Sequence, residues 1–406
     1  MPKVQSKKLR FGSYDFSNSG YVLIFQSFLF PLVLAKATSN ESHAQTLWAW
    51  IVTCSSIAAI VGAPFVGRFA DLLGKWRVFA SAVVVTGILA SVSPIAFAKN
   101  LLLLAMSFLV FNTIFEWTQS LYDSFLLNFG NTRAEITSLS TFGWGFGYVG
   151  GALFAVAYLI LSKKGVSSSA SLALLGVLFL LTSIPAILTF RRAEQEVRRT
   201  YTRPNLKKIL STSSPVPWRE LLIYWVIADS TAAVIYFAPL YMQQEIGLTT
   251  QRMGMLFLAA QVVAFPMTIL MGKFAVMTGT VKVIRWCLLI WLAAVIGLYL
   301  AHSLRGLIPV MFAFSLVIGS TQAILRAHYA SRIKLEHSGE GLGYFAVAQK
   351  SASVAAPAMV AGVLMLGGTL RSAFLVLAVF ILLAFLVAFR LPETPSRLST
   401  ESEETS

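Results

Sequence analysis

Gly67-Arg68-Phe69-Ala70-Asp71-Leu72-Leu73-Gly74-Lys75-Trp76-Arg77 is a short polar segment between two apolar runs, 47–66 before it and 77–98 after it. Each run supplies the roughly 20 mostly apolar residues that a helix needs to cross a bilayer. Glycines at 67 and 74 suit a tight turn and close approach of the two helix backbones. The pattern returns at an offset of 205 residues: Gly272-Lys273-Phe274-Ala275 repeats Gly67-Arg68-Phe69-Ala70, Gly279 repeats Gly74, and Lys282 stands where Arg77 did. At nearly the same offset Pro239 repeats Pro31. One membrane hairpin written twice predicts a chain built of two parallel repeats. Such repeats place a solute site near the bilayer midplane at their interface, with access alternating as the repeats rock.

Outward from the hairpin, further apolar runs lie near 16–36, 101–125, 139–161, 170–190, 219–242, 253–272, 282–302, 306–327, 341–366 and 371–390, making twelve with the first two. They are too long and continuous for barrel strands, and in lipid the backbone must satisfy its own hydrogen bonds, so all are expected to be helices. The fold class is therefore an all-α membrane protein of twelve transmembrane helices in two pseudo-symmetric six-helix halves. Residues 1–190 make the N-terminal half, 191–218 a basic cytoplasmic linker, 219–391 the C-terminal half and 392–406 a disordered cytoplasmic tail. Apolar residues are 57% of the 406 and charged ones only 12%, against about 25% charged in soluble proteins, which excludes a soluble domain.

The formal charge of +15 sits in short blocks between the apolar runs rather than in a nucleic-acid-binding patch. Alternate loops collect 24 Lys and Arg on one side and seven on the other, with Lys350 inside a run. The richer set holds both termini, which places them in the cytoplasm, next to anionic headgroups of an inner or plasma membrane. Cys54 and Cys287 lie in apolar runs without a CxxC spacing, so neither disulfide nor metal site is indicated. His43, His302, His328 and His337 are scattered, and no HExxH, phosphate loop or nucleophile elbow occurs. No enzyme, cofactor or nucleic-acid partner is expected. The expected partners are a small solute, protons and the bilayer, and the chain is expected to act as a monomer.

Asn112, Glu116, Gln119 and Asp123 are spaced 4, 3 and 4, which puts them on one face of the fourth span. An ionised carboxylate at mid-depth costs about 3 kcal/mol even on the gentlest scale, so the stripe should line a wet cavity or find partners. Glu116, about 10 Å from the cytoplasmic end by helical rise, is the first candidate proton carrier and Asp123 the second. A structural hydrogen-bond network is the competing role for both. The tenth span, the repeat counterpart of the fourth, carries Gln322 and Arg326 one turn apart. Arg326 can clamp a carboxylate, pair with Asp123, or snorkel to the cytoplasmic surface. Asp229 and Lys350 reach similar depth in the seventh and eleventh spans, either as a structural ion pair or as one that solute or proton opens. The first span adds Asp15, Asn18 and Gln26. Candidate solute contacts are thus Asn18, Gln26, Asn112, Gln119, Asp229, Gln322, Arg326 and Lys350.

The segment 67–77 resembles the major facilitator superfamily signature between the second and third spans, Gly-x-x-x-Asp-(Arg/Lys)-x-Gly-(Arg/Lys)-x-(Arg/Lys). The resemblance implies a conformational latch made of Gly67, Asp71, Gly74, Lys75 and Arg77. Asp71 would accept a bond from Arg77 or cap a helix N-terminus, and Lys75 would anchor the turn among anionic headgroups. Leu72 stands where the signature has a base, and in the second copy Val276 replaces the acid. Gly143, Gly147 and Gly151, four apart, resemble the superfamily's glycine motif of the fifth span, for close helix contact. Tyr14-Asp15-Phe16-Ser17-Asn18-Ser19-Gly20-Tyr21, Tyr122-Asp123-Ser124-Phe125-Leu126, Gly143 to Gly151, Gly319 to Arg326, and Gly341-Leu342-Gly343-Tyr344 with Gln349-Lys350-Ser351-Ala352 resemble the vacuolar amino-acid effluxers of that superfamily and their bacterial relatives. That branch implies a secondary active transporter exporting an amino acid or similar amphoteric metabolite by alternating access, and the Glu116 stripe adds proton coupling. The rival readings are another cargo, such as a siderophore, a lysolipid or a drug, and a transport-dead receptor or scaffold on the same fold.

Overall fold

The computed structural model describes residues 2–37, 41–200, 217–352 and 355–392. Most of the predicted linker and the tail from 393 onward lie outside the described residues. Among the described residues the chain is helical throughout. The N-terminal helices are α1 (Pro2–Tyr21), a π-helical stretch (Val22–Leu29), α2 (Phe30–Ala37), α3 (Glu41–Leu73), α4 (Lys75–Ala96), α5 (Leu101–Ser124), α6 (Leu126–Phe129), α7 (Arg133–Lys163) and α8 (Ser168–Thr200). They are followed by α9 (Trp218–Gln244), α10 (Thr250–Thr278), α11 (Thr280–Leu300), α12 (Leu304–Ala330), α13 (Ser338–Ser351), α14 (Ala355–Met365) and α15 (Leu370–Val387).

Eleven continuous helical segments among the described residues are long and apolar enough to cross a membrane. The remaining expected span, the eleventh at 341–366, is interrupted after Ser351 and resumes as α14. Pro357 falls in the first turn of α14, where its missing N–H costs no helical bond. The first span also differs from expectation. It begins at Ser6 rather than near residue 16, because the polar approach continues the helix instead of ending it, and this sets Asp15 inside α1. Large apolar side chains stand exposed along the helices, among them Phe65 (72%), Val262 (68%) and Val379 (67%). Water would penalise such surfaces and hydrocarbon does not.

Two compact units emerge. Unit 1 comprises Met1–Phe129, Phe146–Pro215 and Ile333–Ala346; unit 2 comprises Gly130–Gly145, Val216–Arg332 and Val347–Ser406. Helix α7 therefore begins in unit 2 and continues in unit 1, and α13 begins in unit 1 and continues in unit 2. Within unit 1 the main packings are α4 on α8, α4 on α5, α3 on α5 and α1 on α8. Within unit 2 they are α11 on α15, α11 on α12, α10 on α12 and α9 on α15, the same four pairings one repeat later. The hairpin glycines agree as well: Gly74, before α4, has φ +115°, and Gly279, before α11, has φ +108°. A Cβ at that φ is strained, so both turns require glycine.

The core of unit 1 is aromatic. Phe11 stacks on Tyr122 with ring centroids 4.7 Å apart, and Phe190 stacks on Phe125 at 4.5 Å. Helix α7 approaches α1 closely in this unit, where a Cβ on Gly150 would lie 2.0 Å from the Phe16 carbonyl and one on Gly147 2.4 Å from Ser19 Oγ. Gly147 belongs to the expected glycine series, and Gly150 extends the contact.

Candidate functional site

Unit 1 carries a polar cluster between α1, α3 and α5. Gln26 sits in the π-helical stretch Val22–Leu29, a wound-out geometry that recurs at functional sites. Its Nε2 donates to Asn112 Oδ1 and to Glu116 Oε1, both at 2.8 Å. Asn112 Nδ2 donates in turn to Ser55 Oγ at 3.0 Å, and Ser55 Oγ donates to the Val52 carbonyl at 3.0 Å. One amide therefore ties together two members of the predicted stripe, and the second amide passes the chain to α3. The other two members form a separate group toward the C-terminal end of α5, where Gln119 Nε2 donates to Asp123 Oδ1 at 3.1 Å. Beside them Tyr122 Oη donates to Asp15 Oδ2 at 2.5 Å, and Tyr14 Oη is hydrogen-bonded to Thr118 Oγ1. Asp15 and Asp123 are buried, while Glu116 is partly buried. Asn18 Oδ1 is buried with no hydrogen-bond partner among the described residues.

Sequence reading found the stripe and Gln26, but not Ser55, Tyr14 or Tyr122 as partners. A Ser in an apolar run and a Tyr in an aromatic one carry no periodic signal. The π-helical register is equally silent in the sequence, since it depends on how α1 is held by its neighbours.

Unit 2 has its own ladder. Gln349 Nε2 donates to Gln322 Oε1 at 3.1 Å, Gln322 Nε2 to Thr231 Oγ1 at 3.4 Å, and Thr231 Oγ1 to the Ile227 carbonyl at 2.9 Å. Asp229, fully buried, accepts at Oδ2 from the Ala356 backbone N–H at 3.0 Å. It thus holds an otherwise orphaned N–H in the first turn of α14, where a carboxylate also meets the positive end of the helix dipole. Lys350 is exposed on α13. Arg326 is fully buried rather than snorkelled. Its Nε donates to Ser140 Oγ at 2.8 Å, its Nη2 to the Ser140 carbonyl at 2.9 Å, and its guanidinium lies 5.3 Å from the Trp144 ring centroid. Ser140 Oγ donates onward to the Ala323 carbonyl at 2.7 Å. These bonds explain why the start of α7 clusters with unit 2.

The signature segment has the mirror effect on α13. Asp71 accepts at Oδ1 from the Gly339 N–H and at Oδ2 from the Glu340 N–H, both at 2.9 Å. It thus holds the anticipated helix N-terminus, and it lies with 333–346 in unit 1. Gly67 lets α3 come so near that a Cβ there would lie 2.1 Å from the Gly339 carbonyl oxygen. Arg68 reaches Glu340 at 4.0 Å, and Arg77 is exposed. Lys75 corrects the headgroup expectation: it is buried, and its Nζ donates to Asn128 Oδ1 at 2.5 Å, Ser338 Oγ at 2.7 Å and the Ser124 carbonyl at 3.4 Å. Three oxygens around one ammonium replace its hydration, so it closes the turn inward instead of facing lipid.

No group of three or more potential metal ligands occurs among the described residues. The arrangement offers carboxylates, amides and a buried guanidinium, which bind polar solutes or protons and hold helices.

A sequence profile of the Major Facilitator Superfamily matches residues 19–357. The uncharacterized MFS-type transporter YxiO of Bacillus subtilis (strain 168) is 25% identical over 416 residues, covering 96% of each chain. Among solved structures, the human organic anion transporter MFSD10 (TETRAN) superposes with a TM-score of 0.73 at 16% identity, covering 96% of this chain and 100% of its own. A bacterial homologue of the iron transporter ferroportin, in an outward-facing state, also gives 0.73, at 15% identity and with 94% and 98% covered. At these identities the structural likeness speaks for the fold, and the profile speaks for the family. The chain is a multi-pass, non-enzymatic secondary transporter of a small solute, and it belongs to the Major Facilitator Superfamily.

Proposed function

We propose that the protein is a proton-coupled exporter of an amino acid or similar amphoteric metabolite, working by alternating access with both termini in the cytoplasm. The observation that carries the coupling is the Gln26–Glu116 bond. Glu116 Oε1 accepts from an amide on a π-helical stretch of the first span. Protonation of Glu116 would remove the charge that this N–H meets, so a proton gained there would loosen the tie between the first and fourth spans. Asn112, tied to the same amide, keeps Gln26 in place as the proton comes and goes. Lys and Arg blocks on one set of loops support the orientation. The amphoteric cargo rests on the likeness of the segments around Tyr14, Tyr122, Gly143, Gly319 and Gly341 to the vacuolar effluxers and their bacterial relatives.

Asp71 and its neighbours act in this reading as the latch. Asp71 grips the first turn of α13, with Gly67 allowing the approach, Gly74 and Lys75 shaping the turn, and Arg77 at its exposed edge. The candidate solute contacts are Asn18, Gln26, Asn112 and Gln119 in unit 1 and Asp229, Gln322, Arg326 and Lys350 in unit 2, with Asp123 as the second proton carrier. The test is transport in proteoliposomes under an imposed pH gradient, comparing wild type with Glu116→Gln. The gradient should drive accumulation by wild type and not by the variant, while gradient-free exchange survives. Equal driving of both would remove Glu116 from the coupling.

A further inference from the structure

Three hydrogen bonds tie one end of unit 2 together. Arg133 Nη2, at the start of α7, donates to Thr280 Oγ1 at the start of α11 at 2.6 Å. Arg332 Nη2, just after α12, donates to Glu220 Oε1 in the first turn of α9 at 3.1 Å. His328 Nε2, in the last turn of α12, lies 3.1 Å from the Pro392 carbonyl oxygen. A carbonyl can only accept, so the proton of His328 is on Nε2, and Nδ1 accepts from the Tyr224 hydroxyl. Leu391 is buried beside this bond, so the chain is held here just before residues 393–406 begin. The face around that point is basic. Arg285 sets its guanidinium 4.2 Å from the Phe389 ring centroid, and its Nε is buried with no hydrogen-bond partner among the described residues. Lys282, one turn before it on α11, is exposed, as is Arg390. Acids are scarce at this end. Among the described residues of unit 2 they are Glu135, whose Oε2 accepts from the Asn131 N–H at 2.9 Å, and Glu220, engaged by Arg332. The other two acids of the unit, Asp229 and Glu245, lie deep in α9 and at its far end.

We propose that this basic face is the docking surface of the chain's own acidic segment 393–406, with Glu401, Glu403 and Glu404 set against Lys282, Arg285 and Arg390. Charge selects the occupant: the segment carries four Glu and a single Arg, the reverse of the face from which it starts. Length permits it. The stretch from Pro392 to Glu401 has an r.m.s. reach of roughly 15–18 Å as a flexible chain, and residues 388–390 already pack against α11, which carries Lys282 and Arg285. Tethering does the rest. A linker this short sets an effective concentration of about a millimolar, so exposed ion pairs too weak to hold a free peptide hold this segment. The docking is independent of the cargo and of proton coupling.

Disulfide trapping in the full chain tests it. In a Cys54→Ser background, with Cys287 buried and left in place, a cysteine pair is introduced by Thr278→Cys, at the exposed end of α10, and Ser402→Cys. The oxidation rate of the pair is read from the loss of maleimide-reactive thiol in purified protein. That rate is expected to be about ten-fold higher at about 10 mM salt than at about 1 M, because the screening length falls from about 30 Å to about 3 Å. Changing Glu401, Glu403 and Glu404 together to Gln, and in a second protein Lys282→Gln with Arg390→Gln, should each bring the low-salt rate down to the high-salt one. A rate indifferent to salt, or to either set of substitutions, overturns the docking. The same pair is then followed in nanodiscs of phosphatidylcholine alone and with phosphatidylglycerol added. An unchanged rate is expected; a fall to the level of the Gln variants gives the face to lipid headgroups and overturns the proposal. Finally, two proteins that each carry one of the cysteines are mixed at the same concentration. Linked dimers that form as fast as the intrachain disulfide make the occupant a second copy's segment, which likewise overturns it.

Discussion

The two copies of the hairpin solve the same problem with different chemistry. In unit 1, Gly67 packs against the Gly339 carbonyl and Asp71 takes two backbone N–H groups at the start of α13. In unit 2, Gly272 occupies the equivalent place and faces Thr141 near the start of α7, with a Cβ there 2.1 Å from Thr141 Oγ1. The acid is gone, replaced by Val276, and the start of α7 is held from another helix by Arg326 through Ser140. A carboxylate suits a helix start because it completes the unpaired N–H groups and faces the positive dipole end. A guanidinium cannot do that, so it takes the Ser140 hydroxyl and carbonyl one turn and more into the helix and lies over Trp144. The repeat preserves the close approach of helices and lets the charge change sign and address.

Arg326 should be the most costly hold to remove. Arg326→Met keeps most of the volume but leaves the Ser140 carbonyl without its charged donor, an expected loss of about 3 kcal/mol, and Arg326→Lys should recover only part of it because an ammonium cannot fork. Melting of purified protein in detergent reads this out, and a Met variant as stable as wild type would break the contrast between the two copies. Next come the glycines. Gly67→Ala drives a methyl into backbone and should cost about 2 kcal/mol; Gly272→Ala meets a side chain that can turn and should cost about 1 kcal/mol. Thr141→Ala in the Gly272→Ala background should restore the melting midpoint, whereas a clash with main chain at Gly67 has no such remedy. If the two glycines cost the same, the copies are more alike than their neighbours suggest. The smallest effect is expected for Val276→Asp. Val276 is 43% exposed, so restoring the acid should alter stability by less than about 0.5 kcal/mol. A clear gain in melting midpoint would mean that a helix start lies within its reach after all.

Much of the frame was legible beforehand. Apolar run length locates the eleven continuous spans of the described residues but not the break after Ser351, and the repeat pairs Gly74 with Gly279, whose φ values agree. Part of the site was legible too. Spacing alone sets Asn112 and Glu116 on one face, and Gln26 reads as a polar residue in the first span, yet no pattern says that one amide serves both. Lys75 shows why the remainder was hidden. A lysine at the end of a span reads as a headgroup anchor, and it becomes a buried ligand of three oxygens only because Asn128 and Ser338, far apart in the chain, converge on it. The break in the eleventh span was concealed likewise, since Asp229, which holds the restarted helix at Ala356, comes from α9.

The amino-acid sequence by itself determined the helices, their number within one break, and the doubling, because bilayer thickness and the cost of an unpaired peptide group act on each segment separately. Only the tertiary structure decided which side chains hold the starts of α7 and α13, and that Gln26 faces Glu116 from a π-helical turn. Those outcomes depend on polar groups distant in sequence meeting within 3 Å or so in a dry interior, and a hydrogen bond of that kind is fixed by how whole helices pack and by no local run of residues.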